Sequence, residues 1–330
     1  MLHTIERCTK VPVCSYSLFE RTEIPHSNAK FSMKLFLLLL LLLFCGLFTS
    51  AQTFQPSVPS IQEAQIQFQR RLVERGPKAA FLEYLSDDAV IFQPDAVNGK
   101  QYWSSVKTEP EGKLKREMLY LDTASSRQLG YTTGNWEWTP KGRTSPAQRG
   151  QFVTVWAKRQ GGQFKAVLDI TTTEDPDIVE RDDDRAPSRE GGEANRRGWS
   201  AADPSMNFLK RAMGGERLGG AYSAFAAKEV RLLREGDPPI VGRKRVVAET
   251  EDYRSITYPK RVVLNESADM AYVWNPCEYA DSDEGVERGH CLHIWKLRGK
   301  SWNITLGVLS RVRNLKKPEL KLRPKMASKN

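Results

Sequence analysis

The sequence is poor in histidine: four in 330 residues, and beyond Ala51 only His290 and His293. Residues 52–289 therefore lack an imidazole, and acid–base chemistry there has to rest on Asp, Glu or Tyr. The two histidines sit at odd spacing on one expected strand, so they face opposite ways and do not share a metal. Cysteine is equally scarce. Of five, Cys8, Cys14 and Cys45 fall within the first 51 residues, leaving Cys277 and Cys291, and two thiolates alone under-coordinate a zinc ion. No metal and no cofactor is expected. Long apolar runs are missing too. The longest, Leu35 to Phe48, holds 14 residues, short of the roughly 20 that a membrane-spanning helix requires. The formal charge of +10 is not spread over a folded surface. Residues 311–330 hold eight Lys or Arg against Glu319 alone, and residues 1–51 hold five against three Glu. What lies between is close to neutral, with no basic face interleaved with aromatics, so no nucleic-acid partner is expected.

The run from Leu35 follows Lys34 and leads into Thr49-Ser50-Ala51, small residues of the kind a signal peptidase cuts after. We expect cleavage after Ala51, a true start at Met33, and a secreted or periplasmic chain with no stable membrane span once mature.

What is present is a repeat. Residues 129–170 (LGYTTGNWEW…RGQFVTVWAKRQGGQFKAVLDI) and 270–308 (MAYVWNPCEY…RGHCLHIWKLRGKSWNITLGV) read alike. Tyr131 falls on Tyr272, Glu137 on Glu278, Arg149-Gly150 on Arg288-Gly289, Trp156 on Trp295 and Phe164 on Trp302. A self-match of this length implies two copies of one domain. The expected parts are an N-terminal extension with signal peptide (1–51), a first domain (52–173), a polar linker (174–203), a second domain (204–313) and a basic disordered tail (314–330). In the first copy the pattern predicts a helix over 61–75 ended by Gly76-Pro77, and a second helix that Pro77 opens. A short strand at 89–92, a turn at 97–100, a partly helical stretch over 104–117 and strands at 114–124, 128–138, 151–159 and 164–172 follow. The second copy repeats that order, with strands at 255–264, 270–279, 289–297 and 302–312.

Helices first, then a long meander, is an α+β plan. FLEYLSDDAVIF (81–92), Gly99-Lys100, LGYTTG (129–134), GQFVTVW (150–156), GGQFK (161–165) and Leu168-Asp169-Ile170 resemble the SnoaL-like branch of the nuclear transport factor 2-like superfamily. The resemblance implies two tandem cone-shaped domains, each with N-terminal helices packed on a curved antiparallel sheet and a pocket at the open end. Such proteins include isomerases, cyclases and dehydratases as well as members without catalysis, so the fold leaves the function open.

Strand alternation puts Trp136 and Trp138 on one face with Phe152, Thr154 and Trp156, and Tyr131 on the other. The tryptophans Trp136, Trp138 and Trp156, joined by Trp103, are candidates to line a pocket for a small apolar ligand. Asp169 with Tyr131 or Tyr84 is the candidate acid–base pair of an isomerase, dehydratase or hydrolase. Its counterpart in the second copy is Gly307, which argues against shared chemistry. Centring the second copy's hairpin near Glu284 sets Cys277 opposite Cys291, within disulfide reach. The same positions in copy one are Trp136 and Phe152. We therefore expect a non-enzymatic exported protein that binds a small apolar ligand or a protein partner. The alternatives are the Asp169 enzyme and a structural pseudo-dimer whose two copies pack sheet to sheet.

Overall fold

In a computed structural model the described residues are 60–175, 200–255, 263–281 and 285–312. The expected signal segment, most of the linker, the basic tail and most of the strand at 255–264 lie outside them. One compact unit begins at Val58 and takes in both sheets.

Helix α1 (Ile61–Tyr84) starts at Ser60, whose hydroxyl accepts the Glu63 amide at 3.0 Å, a side-chain cap for an otherwise unpaired N–H. It is two helices joined at a kink. Gly76 adopts φ 80°, and Pro77 follows with no N–H to give. Phe68, Leu72, Ala80 and Phe81 are buried along one side. Then come β1 (Leu85–Phe92), β2 (Ala96–Asn98), α2 (Gly99–Ser105), β3 (Gly112–Thr123), β4 (Leu129–Pro140), β5 (Gln148–Lys158) and β6 (Phe164–Thr173). The stretch expected to be partly helical is helical only to Ser105. Asn98 caps that short helix by accepting from Gln101 N, so the expected turn at 97–100 is a helix start.

The strand order is β2-β1-β6-β5-β4-β3. The sheet is mixed where an antiparallel one was expected, since β1 and β6 run parallel. β2 and β3 run the same way on either side of α2, so the three hairpins that follow return β6 alongside β1. The second copy repeats the plan. Helices α3 (Ala202–Met213) and α4 (Arg217–Phe225) precede β7 (Ala226–Arg234), β8 (Ile240–Val241), α5 (Arg243–Glu249), β9 (Arg254–Ser255), β10 (Val263–Ser267), β11 (Met270–Asp281), β12 (Gly285–Arg298) and β13 (Ser301–Arg311). Its order is β10-β11-β12-β13-β7-β8, with β9 paired to β11 and β13 parallel to β7. Each copy is thus an α+β cone with helices laid across a curved sheet.

The repeated arginine–glycine pair has a steric cause. A Cβ at Gly150 would lie 1.9 Å from Thr172 O, and one at Gly289 would lie 1.6 Å from Ser310 O. Only glycine permits that approach of neighbouring strands.

The sheet faces turned away from the helices pack on each other. Tyr131, Val153, Val155, Leu168 and Ile170 share one buried cluster with Tyr272, Leu292, Ile294, Leu306 and Val308. The retained Tyr131/Tyr272 match therefore belongs to the contact between copies. Lys296, buried in this seam, pairs with Asp122 at 3.3 Å and Asp269 at 3.4 Å and bonds Thr123 O. Ser125 N donates to Asp269 Oδ1 at 2.6 Å, and Thr173 Oγ1 to Glu235 Oε1 at 2.6 Å.

Candidate functional site

The open end of the first cone holds a cavity of about 320 Å³. Its floor is a buried ion pair. Arg116, on β3, donates from Nη1 to Asp169 Oδ2 at 2.7 Å and from Nη2 to Oδ1 at 2.8 Å. Thr154 Oγ1 donates to Oδ2 at 2.6 Å and accepts from Arg116 Nη1 at 3.4 Å. The side chains of Arg116 and Asp169 are 3% and 7% exposed. Burying either charge alone would be strongly unfavourable, so each requires the other. Three aromatic rings hold the guanidinium in place, with Phe152 at 4.8 Å, Phe81 at 5.3 Å and Phe68 at 5.6 Å from its carbon.

The walls are aromatic and apolar. Trp103 stacks on Phe81 at 4.8 Å with planes 8° apart. Trp136 and Trp138, both half-buried, stand on β4 with Leu114 beside them on β3. Trp136 Nε1 is occupied, donating to Thr172 O at 3.0 Å. Three of the four expected tryptophans therefore line the cavity, and Trp156 does not. It is fully buried beneath, its Nε1 donating to Thr132 Oγ1 at 3.0 Å while Thr132 donates to Gln65 Oε1 at 2.8 Å. Its place is in the core against α1, 6.3 Å from Phe68.

Neither candidate tyrosine meets Asp169. Tyr131 is 1% exposed on the opposite sheet face, within the contact between copies, and burial holds its hydroxyl well above the ordinary phenol range. Tyr84 packs edge-on against Phe68 at 5.7 Å, and burial raises its pKa as well. Among the described residues no tyrosine lines the cavity. The expected Asp–Tyr pair is thus replaced by an Asp–Arg pair, and both carboxylate oxygens already accept hydrogen bonds. The residue that sequence reasoning missed is Arg116. Its signal was alternation: Leu114, Arg116 and Met118 share a face, so an arginine points inward from a strand whose other inward residues are apolar.

The same place in the second cone is filled. Strand register puts His293 where the first copy has Thr154, and Gly307 where it has Asp169. Tyr222, from α4, occupies the space and bonds His293 Nε2 at 3.1 Å. Phe208 packs on His293 at 4.6 Å and on Trp295 at 6.2 Å. Burial lowers the His293 pKa to about 3, so the imidazole is neutral. His290 faces the other way, against Phe92 at 4.6 Å across the seam. Among the described residues no group of three or more His, Cys, Asp or Glu is placed to hold a metal ion.

Cys277 and Cys291 form a disulfide, with Cα atoms 5.9 Å apart. They are diagonal neighbours and not opposite ones as expected. Cys277 pairs with Gly289 and Cys291 with Asn275, since the hairpin is centred one residue earlier. In the first copy Trp136 pairs with Gly150 and Phe152 with Gly134, the same diagonal. There the two side chains serve the cavity, one as wall and one beneath Arg116.

No family model and no curated protein matches the chain. Some solved structures are matched at low identity over part of the chain. A putative ketosteroid isomerase from Parabacteroides distasonis is 14% identical, covering 38% of this chain and 94% of its own, with a TM-score of 0.30. An NTF2-like protein of unknown function from Pseudomonas putida is 12% identical over 36% of this chain and 93% of its own, TM-score 0.29. Another NTF2-like protein, from Cytophaga hutchinsonii, is 11% identical over 34% and 100%, TM-score 0.29. Each spans about one cone's length of this chain.

Proposed function

We propose that the protein is an exported, non-enzymatic binder that takes one small apolar ligand in the first cone, with the second cone as its support. The observation that carries this reading is the asymmetry of the copies. One scaffold keeps a cavity of about 320 Å³ walled by Trp103, Trp136 and Trp138, and the other closes the equivalent space with Tyr222 and His293. Cavities of this size with mostly apolar walls and few polar groups suit small ligands. Asp169 favours binding over catalysis, because Arg116 and Thr154 already engage both its oxygens and, among the described residues, no tyrosine lines the cavity to pair with it. Export is supported by the apolar run before Ala51 and by the Cys277–Cys291 bond, since disulfides persist in oxidising compartments.

The test is calorimetric titration of the mature chain with a panel of small planar and aliphatic apolar compounds. Binding that Trp138→Ala and Trp103→Ala weaken supports the reading. Turnover of a bound compound that Asp169→Asn abolishes would favour the enzyme instead. For export, N-terminal sequencing of material recovered from a periplasmic fraction should begin at Gln52.

A further inference from the structure

We infer that the first-cone pocket selects an uncharged planar ligand carrying one oxygen acceptor, and rejects the carboxylate of the same skeleton. This rests on the binding reading above and specifies its ligand class. The floor is already neutral: Arg116 and Asp169 cancel within a two-pronged contact at 2.7 and 2.8 Å. An anion docked there would face the Asp169 carboxylate away from bulk water, where charge repulsion is least screened. Among the described residues the walls supply no second cation, since Arg116 is the one basic residue in the lining while Glu109 adds another carboxylate. A cationic ligand would face the buried guanidinium with the same difficulty.

The floor nevertheless has a donor to offer. An arginine carries five N–H groups, and the contacts of Arg116 use three: two to Asp169 and one to Thr154. Of the two that remain, the Nε N–H is buried without a partner, and the second N–H of Nη2 is the donor we assign to the ligand. A guanidinium with unspent donors, in an aromatic shaft, recovers a hydrogen bond from a carbonyl or hydroxyl oxygen without gaining charge. Trp136 cannot compete for that oxygen, because its N–H is bound to Thr172 O. The flat shape follows from the walls: Trp103 lies parallel on Phe81, and Trp136 and Trp138 rise from one strand face.

Four probes on one skeleton test this by calorimetry at neutral pH: naphthalene, 2-naphthalenemethanol, 2-naphthoate and 2-naphthylmethylammonium. The alcohol should bind roughly tenfold tighter than the hydrocarbon and than either ion. Asp169→Asn should strengthen naphthoate binding by about tenfold, because it removes the opposing charge and leaves the guanidinium unneutralised. Should that variant not fold, the double change Arg116→Met with Asp169→Leu removes both charges together. There the alcohol's advantage over naphthalene should vanish while naphthalene itself still binds. Wild-type preference for the carboxylate or the ammonium would overturn the inference and leave the binding reading standing. So would an alcohol advantage that survives the double change. No heat from any of the four would remove the binding reading itself.

Discussion

Placing a methyl group at Gly307 tests whether the second cone is closed by design of its packing. Gly307 stands where the first copy has Asp169, and its backbone is not among the positive-φ positions, so alanine fits the strand. The obstacle is side-chain volume. A Cβ there would lie 2.7 Å from Tyr222 Oη and 3.1 Å from Leu232 Cδ1. Tyr222 is fully buried, with Phe208 against its ring at 5.2 Å, so it has no free direction to swing. Overpacking of this kind costs about 1–3 kcal/mol, against which glycine to alanine within a strand recovers about 0.5–1 kcal/mol. Gly307→Ala should therefore destabilise by about 1–2 kcal/mol. Tyr222→Phe deletes the hydroxyl and leaves His293 Nε2 without its partner, a loss of about 1 kcal/mol. In the Tyr222→Phe background the new methyl enters the space the hydroxyl vacated, so its own cost should fall to about zero, a coupling of about 1–2 kcal/mol. Urea unfolding of the four proteins reads this, with fluorescence and circular dichroism required to coincide before free energies are taken. Additive effects within about 0.5 kcal/mol would show that Tyr222 does not fill the space opposite Gly307, and the account of a closed second cone would fail.

Removing Cys277 and Cys291 together as serines should cost about 3 kcal/mol, the expectation for a closed loop of about 15 residues. A reductant should shift the wild-type urea midpoint and leave the double serine variant unmoved. His293 gives a pH dependence of definite sign. Its folded pKa is lowered to about 3 by burial while the unfolded chain titrates near 6.5, so the unfolded state binds the extra proton. The stability it contributes is present above pH 6.5 and is lost as pH falls towards 3, by up to about 1.4 kcal/mol per pH unit, and His293→Gln should flatten that slope. Asp122 works in the other direction, because burial raises its pKa against the opposing pull of Lys296. Its contribution is present below the unfolded value of 3.8 and is lost as pH rises through the higher folded value. Stability curves of wild type and Asp122→Asn should therefore diverge in favour of the variant as pH rises from 3 to 7, and parallel curves would refute the assignment.

The fold was legible because its signals are local. Gly76-Pro77 marked the kink in α1, and alternation along β4 and β5 sorted Trp136 from Tyr131. The Arg–Gly repeat marked two places where strands approach too closely for a side chain. The floor of the cavity was not legible, for a geometric reason. Arg116 and Asp169 are 53 residues apart and stand on β3 and β6, which have β4 and β5 between them. On a flat sheet three strand spacings would separate them by roughly 14 Å. Only the inward curvature of the sheet and the length of an arginine bring their charges together, and neither is written in strand periodicity. Tyr131 was misplaced for the opposite reason. Alternation had already put it on the far face from Trp136, and nothing local showed that a second sheet would cover that face.

That covered face implies that the copies are not independent. Tyr131, Val153, Val155, Leu168 and Ile170 are each nearly inaccessible, although they lie on the side of the sheet away from the helices. They owe their burial to the second copy. With the second copy cut away, an apolar patch of this extent would face water, at about 1.5–3 kcal/mol for each large side chain exposed. Asp122 would lose Lys296, its ion-pair partner in the seam. A chain of residues 58–175 should therefore self-associate through this sheet face. Sedimentation should find dimers or larger species, and Val153→Lys, which sets a charge in the middle of the patch, should return it to monomer. A wild-type fragment that stays monomeric and folded at micromolar concentration would mean that the face tolerates water. The second cone would then have to be explained by something other than the cover it gives the first.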